Sequence, residues 1–167
     1  MQNQTATQNK VNELTLLAVL STMVMLFAAF TAAYLIRKTS SDWQRISIPT
    51  LFWINTGILL ASSVTVELAR KSANARWLNL TIVLGLAFVV GQLLAWKGLA
   101  DAGIFVPSHP HCSFLYMLCA VHAFYVLGGI AALFYAIKHT RLRGLCSIFW
   151  HCVDAVWLYV IAMLTLL

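Results

Sequence analysis

Long apolar runs separated by short polar connectors dominate the pattern of this chain. A helix that crosses a bilayer needs about 20 mainly apolar residues. No run alternates polar and apolar residues as the strands of a membrane barrel would. The pattern therefore predicts an all-α, polytopic membrane protein, a bundle of five transmembrane helices near Leu14–Ile36, Leu51–Ala69, Trp77–Trp96, Ser113–Ile137 and Cys146–Leu167.

The segments outside these runs are polar or contain helix breakers. Residues 1–12 are rich in amide side chains, which predicts a frayed polar tail ahead of a transmembrane domain at residues 13–167. Pro49 suits the first turn of the second helix. Glycines inside the runs, with neighbouring Ala and Ser, predict places where helices approach closely. These glycines are Gly57, Gly85, Gly91, Gly128 and Gly129.

The basic residues of short loops predict the orientation, because Lys and Arg are enriched on the cytoplasmic side. With the N-terminus inside, seven basic residues lie inside and four outside, which favours N-in/C-out. The inner set is Lys10, Arg70, Lys71, Arg76, Lys138, Arg141 and Arg143, and the outer set is Arg37, Lys38, Arg45 and Lys97.

Composition narrows the class of protein further. The chain has 167 residues, of which 61 % are hydrophobic and 10 % charged, against roughly 25 % charged in soluble domains. Mean hydropathy is +0.83. These values exclude a soluble globular domain and a disordered chain. The net charge of +6 comes from loops between apolar runs, so it does not indicate a nucleic-acid partner.

Ionisable residues inside the spans are the candidates for special roles, because each costs roughly 2.5–3.5 kcal/mol to insert. Asp154 lies in the fifth helix, with His151 three residues earlier on the same face. Trp150 and Trp157 flank this pair. One interpretation is a hydrogen-bonded pair that locks helix packing, and the other is a proton relay. In the second helix, Glu67 lies where it can meet Arg70 or Lys71.

His122 lies near the middle of the fourth helix and raises two further possibilities. Ligation of a haem by His122 and His151 is disfavoured, because their depths differ by roughly 10 Å at a rise of 1.5 Å per residue. The depth of His122 instead matches that of Asp154, which predicts a hydrogen bond between them if the helices adjoin. We therefore expect no catalytic, cofactor-binding or metal-binding residue in this chain.

The connector before the fourth helix contains His109, His111 and Cys112. Imidazole and thiolate ligands could hold copper or zinc. Pro107 and Pro110 also explain this stretch as an ordinary turn, and the turn is the favoured interpretation.

Three segments resemble the subunit III family of haem–copper oxidases, in the same order along the chain. The stretch Phe149–Leu158 (FWHCVDAVWL) resembles the signature YWHFVDxVWL of the last helix in that family. Residues Ile54–Ser63, which include Asn55 and Thr56, resemble its LNTxxLLxSS stretch. Residues Leu115–His122, followed by Gly128 and Gly129, resemble its FYxLTGxHxxHV helix. The likeness covers nearly all of the chain after Asn12.

The resemblance implies an accessory subunit of a bacterial terminal oxidase, which reduces oxygen to water and translocates protons. In that family, subunit III carries no redox cofactor, and haem and copper reside in the catalytic subunit I. The resemblance further implies packing against subunit I, with subunit II and small subunits nearby, and phospholipid held in a cleft. It implies a multi-pass protein of the bacterial inner membrane of the short, five-helix type.

The chain departs from the family pattern at three positions. Thr22 stands where many members have an intramembrane Glu, so a role that depends on that carboxylate is in doubt. Tyr125 replaces the second His of the fourth-helix motif, and Cys152 replaces an aromatic residue of the last-helix motif. No series of carboxyl groups crosses the bundle, which argues against a proton wire through the subunit.

Two alternative functions stay open at this point. One is a subunit III-like accessory protein of a nitric oxide reductase system, which the identity of the partner would distinguish. The other is a small stand-alone transporter or membrane enzyme, which would be active when expressed alone and would need more intramembrane charge than Asp154 supplies.

Overall fold

The computed structural model of the chain describes residues 2–43, 48–72, 74–106 and 110–167, with side chains from Thr7 onward. The described residues contain no strand and form five α-helices. Each is long and apolar enough to cross a membrane, which confirms the predicted class. The helices are α1 (Gln2–Lys38), α2 (Thr50–Ser72), α3 (Ala75–Asp101), α4 (Pro110–Lys138) and α5 (Arg143–Leu166).

Each helix extends beyond the apolar run that predicted it, apart from the last residue of the final run. Hydropathy detects only the part of a helix inside the membrane, whereas the backbone continues until a breaker or a cap ends it. Asn74 caps α3 by accepting a hydrogen bond from the Arg76 backbone N–H at 3.0 Å. After α3, Gly103 takes a φ of +76°, a conformation that favours glycine.

Helix α1 begins at Gln2, so residues 2–12 of the predicted polar tail are helical. This segment contains neither Gly nor Pro to stop the helix. The side chains of Gln8 and Asn12, one turn apart, form a hydrogen bond of 3.3 Å. The first helix therefore extends about three turns beyond its apolar run.

Helices α2 to α5 form a closed four-helix group in which α2 packs on α3, α3 on α4, α4 on α5 and α5 on α2. Helix α1 lies outside this group, and in the described part of the chain it packs on α4 and α5 but on no other helix. About 11 % of its spanning window is buried, against 39–44 % for the other four helices. The residues that hold it in place include the buried side chains of Met23, Phe27 and Tyr34. Most of the surface of α1 is therefore open to lipid or to another subunit.

The two ends of the bundle differ in charge. We call the end where α1 and α5 begin the N-side; the α4–α5 turn, a 3-10 helix at Thr140–Leu142, lies there. All seven basic residues predicted to be inside belong to this end. Of the four predicted to be outside, Arg45 lies outside the described residues.

The α1–α2 connector at the opposite end carries an exposed ion pair. The Arg37 guanidinium donates to both carboxylate oxygens of Asp42, at 2.8 and 2.6 Å, and also to the Ser40 hydroxyl. The hydrogen bond from Arg37 is the largest cause that lowers the pKa of Asp42 to about 2, and a hydrogen bond from Ser40 is the second.

Candidate functional site

The two tryptophans of the α5 motif are fully buried against α2. The Trp150 indole N–H donates to the Ser62 hydroxyl at 2.8 Å, and that of Trp157 donates to the Thr56 hydroxyl at 3.0 Å. Each hydroxyl in turn donates to a carbonyl of its own helix, at 2.6 Å for Ser62 and 2.9 Å for Thr56. Both indole donors are thus satisfied at the apolar core, where an unpaired one would cost about 1–3 kcal/mol.

Two glycines make room for the Trp150 ring. A Cβ atom added at Gly85 of α3 would lie 2.8 Å from this ring, and one added at Gly129 of α4 would lie 3.0 Å from it. The prediction of close approach is confirmed at these two positions. It is wrong at Gly57 and Gly128, where an added Cβ would meet nothing within 4 Å. Both glycines are exposed, and Gly128 lines an open groove beside α1.

Asn55 of α2 joins this helix to α3. Its side-chain amide donates to the Phe88 carbonyl at 3.4 Å. A Cβ at Gly91 would lie 2.1 Å from the Asn55 side-chain oxygen, so only glycine fits there in this packing. Asn55 and Thr56, adjacent in the second motif, therefore serve different interfaces, Asn55 toward α3 and Thr56 toward α5.

Asp154 is buried, with 4 % of its surface exposed, at the seam between α2 and α5. The Ser63 hydroxyl donates to its Oδ2. Its Oδ1 has no hydrogen-bond partner among the described residues. The predicted direct pair with His151 is replaced by a bridge, because the same Ser63 oxygen lies 3.1 Å from His151 Nδ1. His151 turns toward the outside of the bundle and its side chain is 43 % exposed.

Glu67 lies one turn from Ser63 on α2, toward the N-side. It pairs with Arg70 at 2.5 Å and with Lys71 at 3.5 Å, as predicted. Its Oε2 lies 3.9 Å from His151 Nε2 and accepts a hydrogen bond of 3.5 Å from Ser147. Polar contacts thus continue from the N-side to the buried carboxyl of Asp154.

His122 is fully buried on the other side of α5, and its prediction needs correction. Its Nε2 lies 3.1 Å from the Val153 carbonyl and does not pair with Asp154. Its ring packs on Trp157 at 4.8 Å and on Phe88 at 5.5 Å between centroids. The side chain of Asp154 faces α2, whereas His122 approaches α5 from α4.

Thr22, at the position of the family carboxylate, is exposed on α1. Its hydroxyl donates to the Val19 carbonyl at 2.8 Å, within its own helix. A threonine bonded in this way needs no partner from another helix. It offers no titratable group in place of the missing Glu.

Of the three residues predicted to lie in the connector before the fourth helix, His109 lies outside the described residues, whereas His111 and Cys112 belong to the first turn of α4. His111 and Cys112 are buried, and the His111 ring contacts the rings of Tyr34 and Trp43 edge-on. Within the described ranges, no three His, Cys, Asp or Glu side chains are grouped so that they could hold a metal ion.

Sequence reasoning missed the role of Ser62 and Ser63 as hydrogen-bond partners of the α5 motif. It treated them as small residues at a helix contact. The available signal was their position in the second motif, with Ser63 seven residues after Thr56 and therefore on nearly the same face of α2.

Comparison with known proteins assigns the family. No family model matches the chain. The probable cytochrome c oxidase subunit 3 of Mycobacterium tuberculosis is 29 % identical over 161 residues, covering 83 % of this chain and 79 % of that protein. The cytochrome bo(3) ubiquinol oxidase subunit 3 of Pseudomonas aeruginosa is 28 % identical over 170 residues, covering 89 % and 81 %. Its counterpart from Buchnera aphidicola is 31 % identical over 133 residues, covering 70 % and 69 %.

The fold is thus that of a multi-pass membrane subunit whose last helix is fastened to the second by a set of polar contacts. The chain belongs to the subunit III family of haem–copper oxidases, and it is an accessory subunit of a multisubunit oxidase.

Proposed function

We propose that this chain packs on catalytic subunit I of a bacterial haem–copper oxidase in the inner membrane and stabilises it during turnover. Subunit II and further small subunits complete the complex. Haem and copper belong to the partner, and this chain contributes no redox group. The observation that carries the proposal is the α5 motif itself. The residues that resemble the family signature are those whose side chains join α5 to α2.

The outward surface of α1 supports a contact with another subunit. Large apolar side chains on this helix are exposed, Met25 at 72 % and Ile36 at 75 %. Thr22 lies on the same open helix. A single helix so weakly attached to its own bundle gains by packing against a larger neighbour, because helix association in lipid depends on close contact. We assign this surface to subunit I.

A groove beside α1 supports the proposal that the chain holds phospholipid. The groove has a volume of about 450 Å³ and is lined by apolar side chains of α1, α4 and α5, among them Leu16, Phe124 and Phe149. At the N-side it adjoins a polar basin lined by Lys138, His139 and Arg141. Acyl chains fit the first space, and the basic side chains suit a phosphate group in the second.

The decisive experiment is purification of the intact complex by a tag on this chain, followed by a visible spectrum and identification of the co-purified subunits. We expect a haem a, b or o spectrum and an oxidase subunit I. Relatives are named for both cytochrome c and ubiquinol, so the partners identify the electron donor. A nitric oxide reductase catalytic subunit, or a chain that is purified alone without haem, would contradict the proposal.

Lipid retention is a separate measurement on the same preparation. We expect phospholipid to be lost when Gly128, which lines the groove, is replaced by Phe to fill it. The matched control is Gly57→Phe, at a glycine that faces outward on α2. Equal lipid content in the two variants would show that the groove does not hold the lipid.

A further inference from the structure

Four polar side chains follow one another along the α2–α5 seam, from the N-side to the middle of the bundle. They are Glu67, His151, Ser63 and Asp154, and they alternate between the two helices. Asp154 is 11 residues beyond the start of α5 at Arg143, which places it about 16 Å along the helix axis. Polar groups at such depth are costly and indicate a function by default.

The two ring nitrogens of His151 face different partners. Nδ1 lies 3.1 Å from the Ser63 hydroxyl oxygen, and Nε2 lies 3.9 Å from Glu67 Oε2. The first distance is that of a hydrogen bond, and the second is spanned by a small movement of Glu67 or by one water. An imidazole can accept a proton at one nitrogen and release a different one from the other.

We propose that Asp154 is a proton-storage site that is loaded and emptied from the N-side through Ser63 and His151, with Glu67 at the entrance. A proton from water beside the Glu67 carboxylate binds His151 Nε2. The Nδ1 proton passes to Ser63, and the Ser63 hydroxyl proton passes to Asp154 Oδ2. The products are neutral Asp154, an intact Ser63 hydroxyl and neutral His151 with its proton on Nε2.

The line of groups ends at Asp154. The next polar contact along the seam joins Trp157 to Thr56, and an indole N–H only donates. Asp154 Oδ1 has no partner among the described residues. Each transfer inward leaves the proton of His151 on Nε2 instead of Nδ1. Because the path ends at Asp154, the proton returns by the reverse path and restores the original tautomer. The proposal is therefore compatible with the absence of a wire across the subunit.

The charged groups around the α2–α5 seam influence whether Asp154 carries a proton. Arg70 and Lys71 of α2 pair with Glu67 at the entrance. Arg143 lies at the start of α5, and His122 of α4 contacts the backbone of α5 at Val153. Within the described ranges, no charged side chain of α1 or α3 forms an ion pair with the four groups. A carboxyl group in the apolar interior is least costly when it carries a proton, so the store is full at rest.

The test follows the protonated carboxyl of Asp154 by infrared spectroscopy of the oxidase complex in its membrane, after transfer from H₂O to D₂O. Its carbonyl band is identified by its loss in Asp154→Asn or, if that variant fails to assemble, by its displacement in Asp154→Glu. We expect Ser63→Ala to slow deuterium exchange of the band roughly a hundredfold, the low end of what a positioned proton carrier contributes.

Two controls separate the relay from packing. Ser63→Thr keeps the hydroxyl and should exchange at nearly the wild-type rate. Ser62→Ala removes the neighbouring hydroxyl, which serves Trp150, and should also exchange normally. His151→Phe should slow exchange like Ser63→Ala. Wild-type exchange in Ser63→Ala, or the absence of a protonated band in the wild type, would overturn the proposal. The same spectra can be recorded on the full chain alone in liposomes. A failure of the chain to assemble with an oxidase is therefore distinguishable from a failure of proton storage at Asp154.

Discussion

The close fit of Trp150 between α3 and α4 predicts that two Gly→Ala substitutions, at Gly85 and at Gly57, differ in their effect on stability. In Gly85→Ala the new Cβ would lie 2.8 Å from Cη2 of Trp150, whereas carbon atoms pack at about 3.5–4.0 Å. The ring cannot retreat easily, because Gly129 lies against it from α4 and Ser62 accepts its N–H. In Gly57→Ala the new Cβ meets nothing within 4 Å.

The magnitude follows from comparing the two variants. Both gain about 1 kcal/mol, because Ala is a better helix former than Gly. Only Gly85→Ala incurs the cost of over-packing, about 1–3 kcal/mol. The stabilities should therefore differ by that amount, with Gly57→Ala above the wild type. For a chain of this length each kcal/mol corresponds to about 2–4 °C in Tm.

The assay is thermal denaturation of the detergent-solubilised complex, with release of this chain followed by gel filtration. A second variant tests the cause. Trp150→Phe removes the ring atoms that meet the new Cβ, so adding Gly85→Ala to Trp150→Phe should cost less than adding it to the wild type. Equal Tm values for Gly85→Ala and Gly57→Ala would refute the reasoning, as would strict additivity in the double variant.

Three further outcomes are expected. Asp154→Leu should leave the Ser63 hydroxyl without its acceptor and loosen the α2–α5 seam, so the yield of intact complex should fall; a normal yield would count against this. Gentle removal of the chain should shorten the working life of the oxidase without abolishing oxygen reduction, and complete loss of activity with the haems in place would show a different role. Arg37 lowers the pKa of Asp42 below its ordinary value of 3.8, so the stability from this pair is complete above that value and is lost as the pH falls toward about 2. Asp42→Asn should therefore lower stability slightly at neutral pH, leave it unchanged near pH 2 and flatten the acid end of the stability curve, whereas an unchanged acid end would rule the pair out.

The number and order of the helices could be predicted from the sequence because the bilayer imposes a simple rule. Each backbone polar group must be paired inside the membrane, so each long apolar run becomes a helix. The helix ends were less predictable. Hydropathy carries no information about residues beyond the apolar band, and α1 extends to Gln2 across a segment that contains no breaker.

The motifs also pointed to residues of α5 and α2 that lie at the contact between the two helices, but not to their individual partners. Spacing along one helix places Asp154 and His151 on the same face, and equal depth makes Asp154 and His122 plausible neighbours. Neither argument says which side of α5 faces which helix. That depends on how α2 and α4 pack around α5. In this packing Asp154 accepts a hydrogen bond from Ser63, and His122 bonds to the Val153 carbonyl.

The sequence by itself therefore determined the class, the five spans and the family, since these follow from local composition and from residues adjacent in the chain. The tertiary structure alone decided which glycines pack against the Trp150 ring and that Ser62 and Ser63 form hydrogen bonds with side chains of α5. It also decided that the series of polar contacts along the α2–α5 seam ends at Asp154. The physical reason is that these features join positions far apart in the chain, such as Ser63 and Asp154 at a separation of 91. No periodicity of a single helix encodes the rotation of one helix against another.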